Sequence, residues 1–327
     1  MPHPQLWPAI IGAALGLALI AWASIWLAQN WAGMSARKRW AIFIALGLFE
    51  AAYWVNIYAW FVEPRRLVVR EIEIVSEDWR GAPMTIAALS DTHVGGPHVN
   101  SARMLRIVRR VNNLRPDLVL LLGDYVNGHA PEDERTPEEN QDIIGGIGTF
   151  AALNARYGVV AVIGNHDVWY GRQTITTALQ EAGAAVLWDR NIVIRRSGGA
   201  LAIVGLQDDV TGRSDFDAAL DGAPADVDTI AISHSPDPFA RVPQGISLML
   251  AAHGHCGQVT IPLIGRPILP LRHKRYACGL IEESGSQMYV TGGIGTSILP
   301  VRFLNPPEIV LVRIRTGRSE RSPIPIE

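Results

Sequence analysis

Two long apolar runs occupy the first 62 residues of this 327-residue chain. Pro8 to Ala28 is an uncharged run of 21 residues, and Trp40 to Val62 is a second run, interrupted only by Glu50 and Asn56. About 20 apolar residues are enough for a helix to cross a hydrocarbon core of about 30 Å. Seven of the ten Trp also lie in this segment, several of them near the ends of the runs, where indole rings favour the headgroup region. The pattern predicts a membrane anchor over residues 1–62, with transmembrane helices at about 8–28 and 40–62.

Other interpretations of this segment are one transmembrane helix, a cleaved signal peptide or a buried soluble hairpin. A signal peptide fits poorly, because no basic region precedes the first run and no small-residue cleavage pattern is obvious. We expect a two-pass protein of the bacterial inner-membrane type. Basic residues lie both between the runs and after the second run, so the charges do not assign the membrane face of the remaining chain. These residues are Arg37, Lys38 and Arg39 between the runs and Arg65, Arg66 and Arg70 after them.

Residues 63–327 have the composition of a soluble domain, which we predict to be catalytic. They contain 26 basic and 30 acidic residues (29 minus 3 and 31 minus 1), a balance that argues against a protein that binds nucleic acid through phosphate contacts. Two Cys in the whole chain exclude a disulfide-stapled scaffold. We expect Cys256 and Cys278 to be free thiols rather than a disulfide.

Short apolar runs alternate with helical patterns in this domain, which indicates a layered α/β fold. The predicted strands are Thr85–Leu89, Leu118–Leu122, Val159–Ile163, Leu201–Gly205, Thr229–Ile232 and Ser247–Ala251. The predicted helices are Ala102–Leu114, Asp142–Asn154 and Thr174–Ala182. Two further segments, Ile192–Arg195 and Leu201–Val204, predict a hairpin that turns at Ser197 to Gly199, and the acidic segment 131–140 predicts a solvated loop.

Metal-binding side chains follow five of these strands directly. They are Asp91 and His93, Asp124, Asn165 with His166 and Asp167, His234, and His253 with His255. Ligands bind at the carboxyl ends of strands in open α/β sheets, so these side chains should meet at one edge. Mixed nitrogen and oxygen ligands suit Mn, Fe, Zn or Co, and their number suits two ions bridged by Asp124. We interpret the other histidines (His3, His98, His129 and His273) as structural.

The motifs that hold these residues resemble those of calcineurin-like metallophosphoesterases. They are DTH (91–93), GDYVNG (123–128), GNHD (164–167), SHSPD (233–237) and HGHCGQ (253–258), in the order that the family has them. The resemblance implies a four-layer α/β/β/α sandwich with two divalent metal ions, Mn first and Fe, Zn or Co as alternatives. One ion would be held by Asp91, His93, Asp124 and His255, and the other by Asp124, Asn165, His234 and His253. The resemblance also implies that His166 faces the phosphate and stabilises or protonates the leaving oxygen, and that Asp167 orients His166.

Segments 63–74 and 289–314 resemble the membrane-associated branch of the family, which includes UDP-2,3-diacylglucosamine hydrolases. Two positions depart from the family pattern: Cys256 directly follows His255 within the last metal motif, and Gly292 stands where an Arg is common. The resemblance implies a membrane-anchored hydrolase of phosphodiester or pyrophosphate bonds, on a lipid-linked or nucleotide-linked substrate. A phosphomonoesterase or protein phosphatase, and a non-catalytic scaffold, are the alternatives.

Overall fold

The computed structural model of the protein describes residues 3–196 and 199–317. Its first part is a pair of long helices, α1 (Trp7–Asn30) and α2 (Ala36–Ile57). A π-helical turn (Tyr58–Val62) and a 3-10 turn (Glu63–Arg65) continue α2. The three basic residues at 37–39 lie in the first turn of α2 and not in the connection before it.

Both helices are long and apolar enough to cross a membrane, by length and composition. Only 6% of the most apolar window of each helix is buried inside the protein, so these helices are not the core of a soluble domain. Leu15 and Leu48 illustrate this, with 66% and 68% of their surfaces exposed.

The end of the second helix is hydrogen-bonded to the domain that follows it. The backbone carbonyl of Ala59 accepts from the Arg302 nitrogen (3.0 Å), and Glu63 Oε1 accepts from the Asn305 nitrogen (2.6 Å). The Pro64 carbonyl accepts from Arg103 Nη2 (2.9 Å). The chain therefore passes from the apolar helices into the domain without a free linker.

Two six-stranded sheets form the centre of this domain. The first sheet has the strand order β1-β12-β2-β3-β4-β5, and the second has the order β10-β11-β9-β8-β7-β6. The first sheet consists of β1 (Val68–Ser76), β2 (Met84–Leu89), β3 (Leu118–Leu121), β4 (Val159–Ala161), β5 (Ala184–Val186) and β12 (Glu308–Thr316). The second consists of β6 (Arg190–Arg196), β7 (Gly199–Gly205), β8 (Asp228–Ile232), β9 (Leu248–Ala251), β10 (Gly279–Glu283) and β11 (Ser286–Val290).

Apolar side chains fill three layers around the two sheets. Ile86, Leu120 and Val162 of the first sheet pack against Ile230 and Leu250 of the second, because both faces of these strands are apolar. The outer face of the first sheet packs on α3 (Ser101–Asn113), α4 (Pro137–Gly148) and α5 (Asn165–Glu181). The outer face of the second sheet is covered by α6 (Phe216–Leu220) and a 3-10 turn (Asp237–Arg241). The predicted α/β/β/α sandwich is confirmed.

The six predicted strands are present, but the prediction places the starts of two helices too late in the sequence. Helix α4 begins at Pro137, five residues before the expected start, because Thr136 and Glu139 form a capping box. The acidic segment 131–140 is therefore a 3-10 turn followed by the start of α4, and not a loop throughout. Helix α5 begins at Asn165 and is broken at Gly171, which has a φ of 152°. The expected hairpin is formed by β6 and β7, and its turn residues Ser197 and Gly198 lie outside the described residues.

Candidate metal centre

The metal-binding side chains predicted from the sequence meet between the carboxyl ends of the two sheets. Strands β2, β3 and β4 lead to Asp91, Asp124 and Asn165, and strands β8 and β9 lead to His234 and His253. Three groups of ligand atoms each lie within 4.8 Å of one another: Asp91 with His93 and His255, His93 with Asp124 and His166, and Asp124 with His234 and His253. Asp124 and His93 are each shared by two of these groups, and of the two Asp124 has the carboxylate that a bridging ligand requires.

Four of the imidazoles are held by backbone carbonyls in the same way. One ring nitrogen of each contacts a carbonyl oxygen: His93 Nδ1 that of Val126 (3.0 Å), His234 Nδ1 that of Leu122 (2.9 Å), His253 Nε2 that of Pro270 (3.2 Å) and His166 Nδ1 that of Gly128 (2.7 Å). Since a carbonyl only accepts, each of these nitrogens carries a hydrogen. The other nitrogen of each ring then faces the centre, where it can hold a proton or bind a metal ion, as in metal-ligating histidines.

The facing nitrogens need a proton or a cation between them. His234 Nε2 lies 3.2 Å from His253 Nδ1 and 3.2 Å from Asp124 Oδ2. His93 Nε2 lies 3.1 Å from His255 Nε2. Each pair needs a hydrogen on one of its two nitrogens to form a hydrogen bond, and a divalent cation could take the place of that proton.

Buried oxygen atoms in the centre also lack partners. Both carboxylate oxygens of Asp91 and Oδ1 of Asn165 are buried and accept no hydrogen bond in the described part of the chain. A buried polar atom without a partner costs free energy, which a bound cation would offset. The residues present therefore fit a pair of divalent ions.

Burial and neighbouring charge set the protonation states around the centre. Burial lowers the pKa of His93 to about 3 and that of His253 to about 4, so both rings are neutral and able to bind a cation. Burial raises the pKa of Asp91 to about 7. Burial is the largest single influence on Asp124 and His234 and disfavours charge on both, but their attraction to each other, added to that of other nearby charges, outweighs it.

The backbone is strained where it presents the ligands. Five of the seven predicted metal ligands have a left-handed backbone, with φ angles of 48° at Asp91, 45° at His93, 56° at Asp124, 65° at His253 and 47° at His255. Such strain in non-glycine residues is concentrated at functional sites. Gly164 is needed for a different reason, because a Cβ there would collide with Oδ1 and the backbone nitrogen of Asp124.

His166 faces the centre but is not oriented by Asp167, which corrects the expectation from the sequence. The His166 ring is fixed by the Gly128 carbonyl, and its Nε2 lies 3.9 Å from Asp124 Oδ2. Asp167 accepts hydrogen bonds from the backbone nitrogens of Asp124 (2.8 Å), Tyr125 (2.8 Å), Val126 (3.2 Å) and Gly164 (2.9 Å). Its carboxylate therefore holds together the two turns that carry Asp124 and His166.

Two residues beside the centre were missed by the sequence analysis. His129, interpreted as structural, lines a cavity above the centre, and its ring centroid lies 4.9 Å from that of His166. His129 directly follows the GDYVNG motif, and this position could have identified it as a candidate. Arg302 is completely buried, donates to the carbonyls of Gly292 (2.7 Å) and Gly295 (2.6 Å), and lies 3.4 Å from His255 Nδ1. No local pattern marks Arg302, since only the fold brings it to this position.

Cys256 and Cys278 form a disulfide, so the expectation of two free thiols was wrong. Their Cα atoms are 4.9 Å apart, although 22 positions separate them in the sequence. The two cysteines are close because the loop after His255 folds back and brings Cys278, which directly precedes β10, beside Cys256. The disulfide fixes the C-terminal side of the last metal motif.

A cavity of about 510 Å³ opens over the centre. Asp124, Asn165, His166, His253 and His255 line its floor. Its walls are largely apolar and are formed by Trp169, Val210, Val259, Pro267, Ile268, Pro270, Ile298, Leu299 and Val301. A phosphate bound at the floor would have apolar surface on several sides.

Two sheets that bring histidines, aspartates and an asparagine to one edge define an α/β protein with a site for a metal pair. The sequence model described as "Calcineurin-like phosphoesterase" matches residues 84–257, which include the ligands from Asp91 to His255. The chain belongs to the calcineurin-like phosphoesterase family.

Several curated proteins are similar over most of this chain. Phosphodiesterase YaeI of Escherichia coli is 30% identical over 247 residues, which cover 71% of this chain and 83% of that protein. The uncharacterized metallophosphoesterase YkuE of Bacillus subtilis is 26% identical over 266 residues, covering 79% of this chain and 89% of that protein. A transmembrane protein with metallophosphoesterase domain of Danio rerio is 27% identical over 293 residues, covering 84% of this chain and 61% of that protein.

Proposed function

We propose that this protein is a membrane-anchored phosphodiesterase that depends on two divalent metal ions and acts on a substrate with an apolar group. The observation that carries the proposal is the set of imidazoles whose inward ring nitrogens lie around Asp124, beside the unpartnered oxygens of Asp91 and Asn165. The name of the Escherichia coli relative, a phosphodiesterase, supports the reaction.

The proposed ligands divide into two sets that share Asp124. Asp91, His93, Asp124 and His255 would hold one ion, and Asp124, Asn165, His234 and His253 would hold the other. Mn is the first candidate, because imidazoles, carboxylates and an amide without thiolates suit the borderline and harder divalent ions. When bound, such a pair stabilises charge on the phosphoryl oxygens and lowers the pKa of water for attack on phosphorus.

His166 would protonate the leaving oxygen. Its Nδ1–H is donated to Gly128, so its Nε2 faces the cavity and can carry the proton that is transferred. Ser297 Oγ lies 3.4 Å from this nitrogen and limits where the leaving group can sit. Asp167 would act indirectly, by holding the turns on which Asp124 and His166 lie.

The apolar walls of the cavity support a substrate with a lipid part. Two loops form the outer wall, 258–272 and 296–304, and they are joined by the hydrogen bond from the Thr260 nitrogen to the Phe303 carbonyl (2.8 Å). These loops expose Leu263 (107%), Ile298 (76%) and Ile264 (74%). The second loop is also bonded to the end of α2 through Arg302 and Ala59. Apolar loops beside a membrane helix would place the cavity at the bilayer surface, where a lipid-linked phosphodiester or pyrophosphate is available.

The test is substrate profiling of the full chain in detergent with Mn²⁺ and, separately, with other divalent ions. The full chain is required because Ala59 and Glu63 are bonded to the domain. We expect hydrolysis of bis-p-nitrophenyl phosphate to exceed that of p-nitrophenyl phosphate. UDP-diacylglucosamine is the first natural compound to test. Preference for the monoester would favour a phosphomonoesterase. Two bound ions without hydrolysis of any phosphoester would favour a scaffold.

A further inference from the structure

A second cavity, of about 430 Å³, lies where the chain leaves the apolar helices. Its lining includes four arginines and one histidine: Arg65, Arg103, Arg106, Arg110 and His98. Its described lining contains no Asp or Glu. This cavity, called here the arginine cavity, is separate from the metal centre and is not used by the proposed reaction.

The position of the arginine cavity is fixed relative to the apolar helices. Arg65 ends the 3-10 turn that directly follows Val62, the last residue of the second apolar run. Arg103 Nη2 donates to the Pro64 carbonyl (2.9 Å) and Arg110 Nη1 to the Leu67 carbonyl (3.1 Å), so α3 is bonded to the exit of the anchor. The headgroup regions add roughly 5–8 Å on each side of the hydrocarbon core. The arginine cavity therefore lies at the depth of the headgroups when the apolar helices span a bilayer.

The positive charge of this cavity is not balanced within the described part of the chain. None of its four arginines comes within 4.0 Å of a carboxylate there, whereas Arg70, Arg241, Arg275, Arg313 and Arg315 each form an ion pair. Arg103 is 9% exposed, and among the described residues its guanidinium donates only to the carbonyls of His98 and Pro64. Burial, together with the charges of Arg65 and Arg106, lowers the pKa of Arg103 to about 10. Like charges that are held together in this way attract an anion.

We propose that the arginine cavity binds the phosphate of an anionic phospholipid headgroup through Arg65, Arg106 and Arg110. A basic pocket at the end of a membrane helix is suited to this ligand, because each Arg near the surface attracts the anionic headgroup. An ordinary solvated basic helix face would not enclose a cavity or bury Arg103. The inference rests on the anchoring part of the proposed function and is independent of catalysis.

The test uses the full chain in a neutral detergent, titrated with dioctanoyl phosphatidylglycerol, dioctanoyl phosphatidylcholine and inorganic phosphate, with bound lipid counted by native mass spectrometry. The main variant is the triple substitution Arg65→Gln/Arg106→Gln/Arg110→Gln, which removes exposed charges and leaves buried Arg103 in place. The matched control is Arg109→Gln, which removes an exposed charge from the same helix outside the cavity.

We expect phosphatidylglycerol to bind more tightly than phosphatidylcholine, the triple variant to lose on the order of 100-fold in this affinity, and Arg109→Gln to keep it. Equal binding of the two lipids, or an equal loss in Arg109→Gln, would overturn the proposal. Inorganic phosphate that binds as tightly as phosphatidylglycerol would overturn the assignment to a lipid. Hydrolysis of bis-p-nitrophenyl phosphate and flotation with vesicles are measured on the same samples, so a failure of catalysis or of anchoring is recognised separately.

Discussion

The Asp167 carboxylate lies 2.8 Å from the backbone nitrogen of Asp124 and accepts its hydrogen bond. This contact makes Asp167 a support for the turn that presents the proposed bridging ligand. The same carboxylate accepts from Gly164, which precedes His166 by two residues, so one buried side chain joins two motifs. The order of the motifs along the chain does not reveal this relationship.

Replacing Asp167 with Asn should destabilise the protein. The amide would direct an NH₂ group at backbone N–H donors, at a cost on the order of 3 kcal/mol. We expect the Tm of the full chain in detergent to fall in Asp167→Asn and to stay unchanged in Asp133→Asn, an exposed carboxylate on the same half of the domain. A variant with normal Tm and reduced turnover would indicate that Asp167 acts on the His166 ring after all.

Replacing His166 with Ala should reduce turnover by roughly 100-fold to 10,000-fold, because a general acid contributes about that much. Metal content should remain near that of the wild type, since our proposal does not count His166 among the ligands. Initial rates with bis-p-nitrophenyl phosphate and metal analysis by mass spectrometry measure both effects. His273→Ala, outside the cavity, is the control. Full activity of His166→Ala would remove this residue from the mechanism.

Replacing Asp124 with Asn should remove metal as well as activity. Asp124 contacts His234 through Oδ2 (3.2 Å), and its charge holds the proposed pair of cations together. Asn keeps the shape and the acceptor for the His166 backbone nitrogen, so loss of metal would report the missing charge. Equilibrium dialysis against Mn²⁺ measures the stoichiometry. Retention of two ions per chain would contradict a bridging role.

Lowering the pH should destabilise the protein through His98. Burial lowers the pKa of His98 to about 4, and the charges of Arg65, Arg103 and Arg302 oppose its protonation, whereas the Pro300 carbonyl favours it. The unfolded chain binds this proton near pH 6.5, so stability is complete above that pH and is lost as the pH falls toward 4. At pH 5 the loss is on the order of 2 kcal/mol.

The variant His98→Gln isolates this effect, because the Gln amide can still donate to the Pro300 carbonyl and does not titrate. We expect the fall in Tm between pH 7 and pH 5 to be smaller in His98→Gln than in the wild type. Equal falls would show that His98 does not contribute.

Reducing the Cys256–Cys278 disulfide should lower the stability of the folded protein. A cross-link between residues 22 positions apart contributes about 3 kcal/mol in the chain-entropy account. We expect no maleimide labelling of the denatured chain before reduction, two labels after it, and a lower Tm in dithiothreitol. The variant Cys256→Ser/Cys278→Ser should have a Tm that dithiothreitol does not change. Two labelled thiols without reductant would show that the cysteines are free.

Much of the metal centre can be predicted from the sequence because its ligands directly follow strands. Buried parallel strands have a strong local signal, and the edge at which they end is common to all of them. The orientation of each imidazole ring cannot be predicted in this way, since it depends on a carbonyl that is distant in the sequence. His234, for example, is fixed by Leu122, which is 112 positions away.

The outer part of the first sheet could not be predicted in the same way. Strand β12 lies between β1 and β2, although more than 200 residues separate it from them in sequence. Strand β1 also alternates apolar and charged residues, and Glu71 and Glu73 pair with Arg313 and Arg315 of β12. Such strands have little local signal because their partner is distant. Arg302 and the disulfide depend on the same long-range return of the chain.

Arg302 connects the end of α2 to the metal centre through a short series of hydrogen bonds. Its backbone nitrogen donates to Ala59, its guanidinium holds Gly295, and the Gly295 nitrogen donates to the Asp91 carbonyl (2.6 Å). The reaction site would thus be held at a fixed distance from the membrane surface and not on a flexible tether. An enzyme mounted in this way searches in two dimensions, and its rate follows the mole fraction of substrate in the surrounding leaflet more than the bulk concentration.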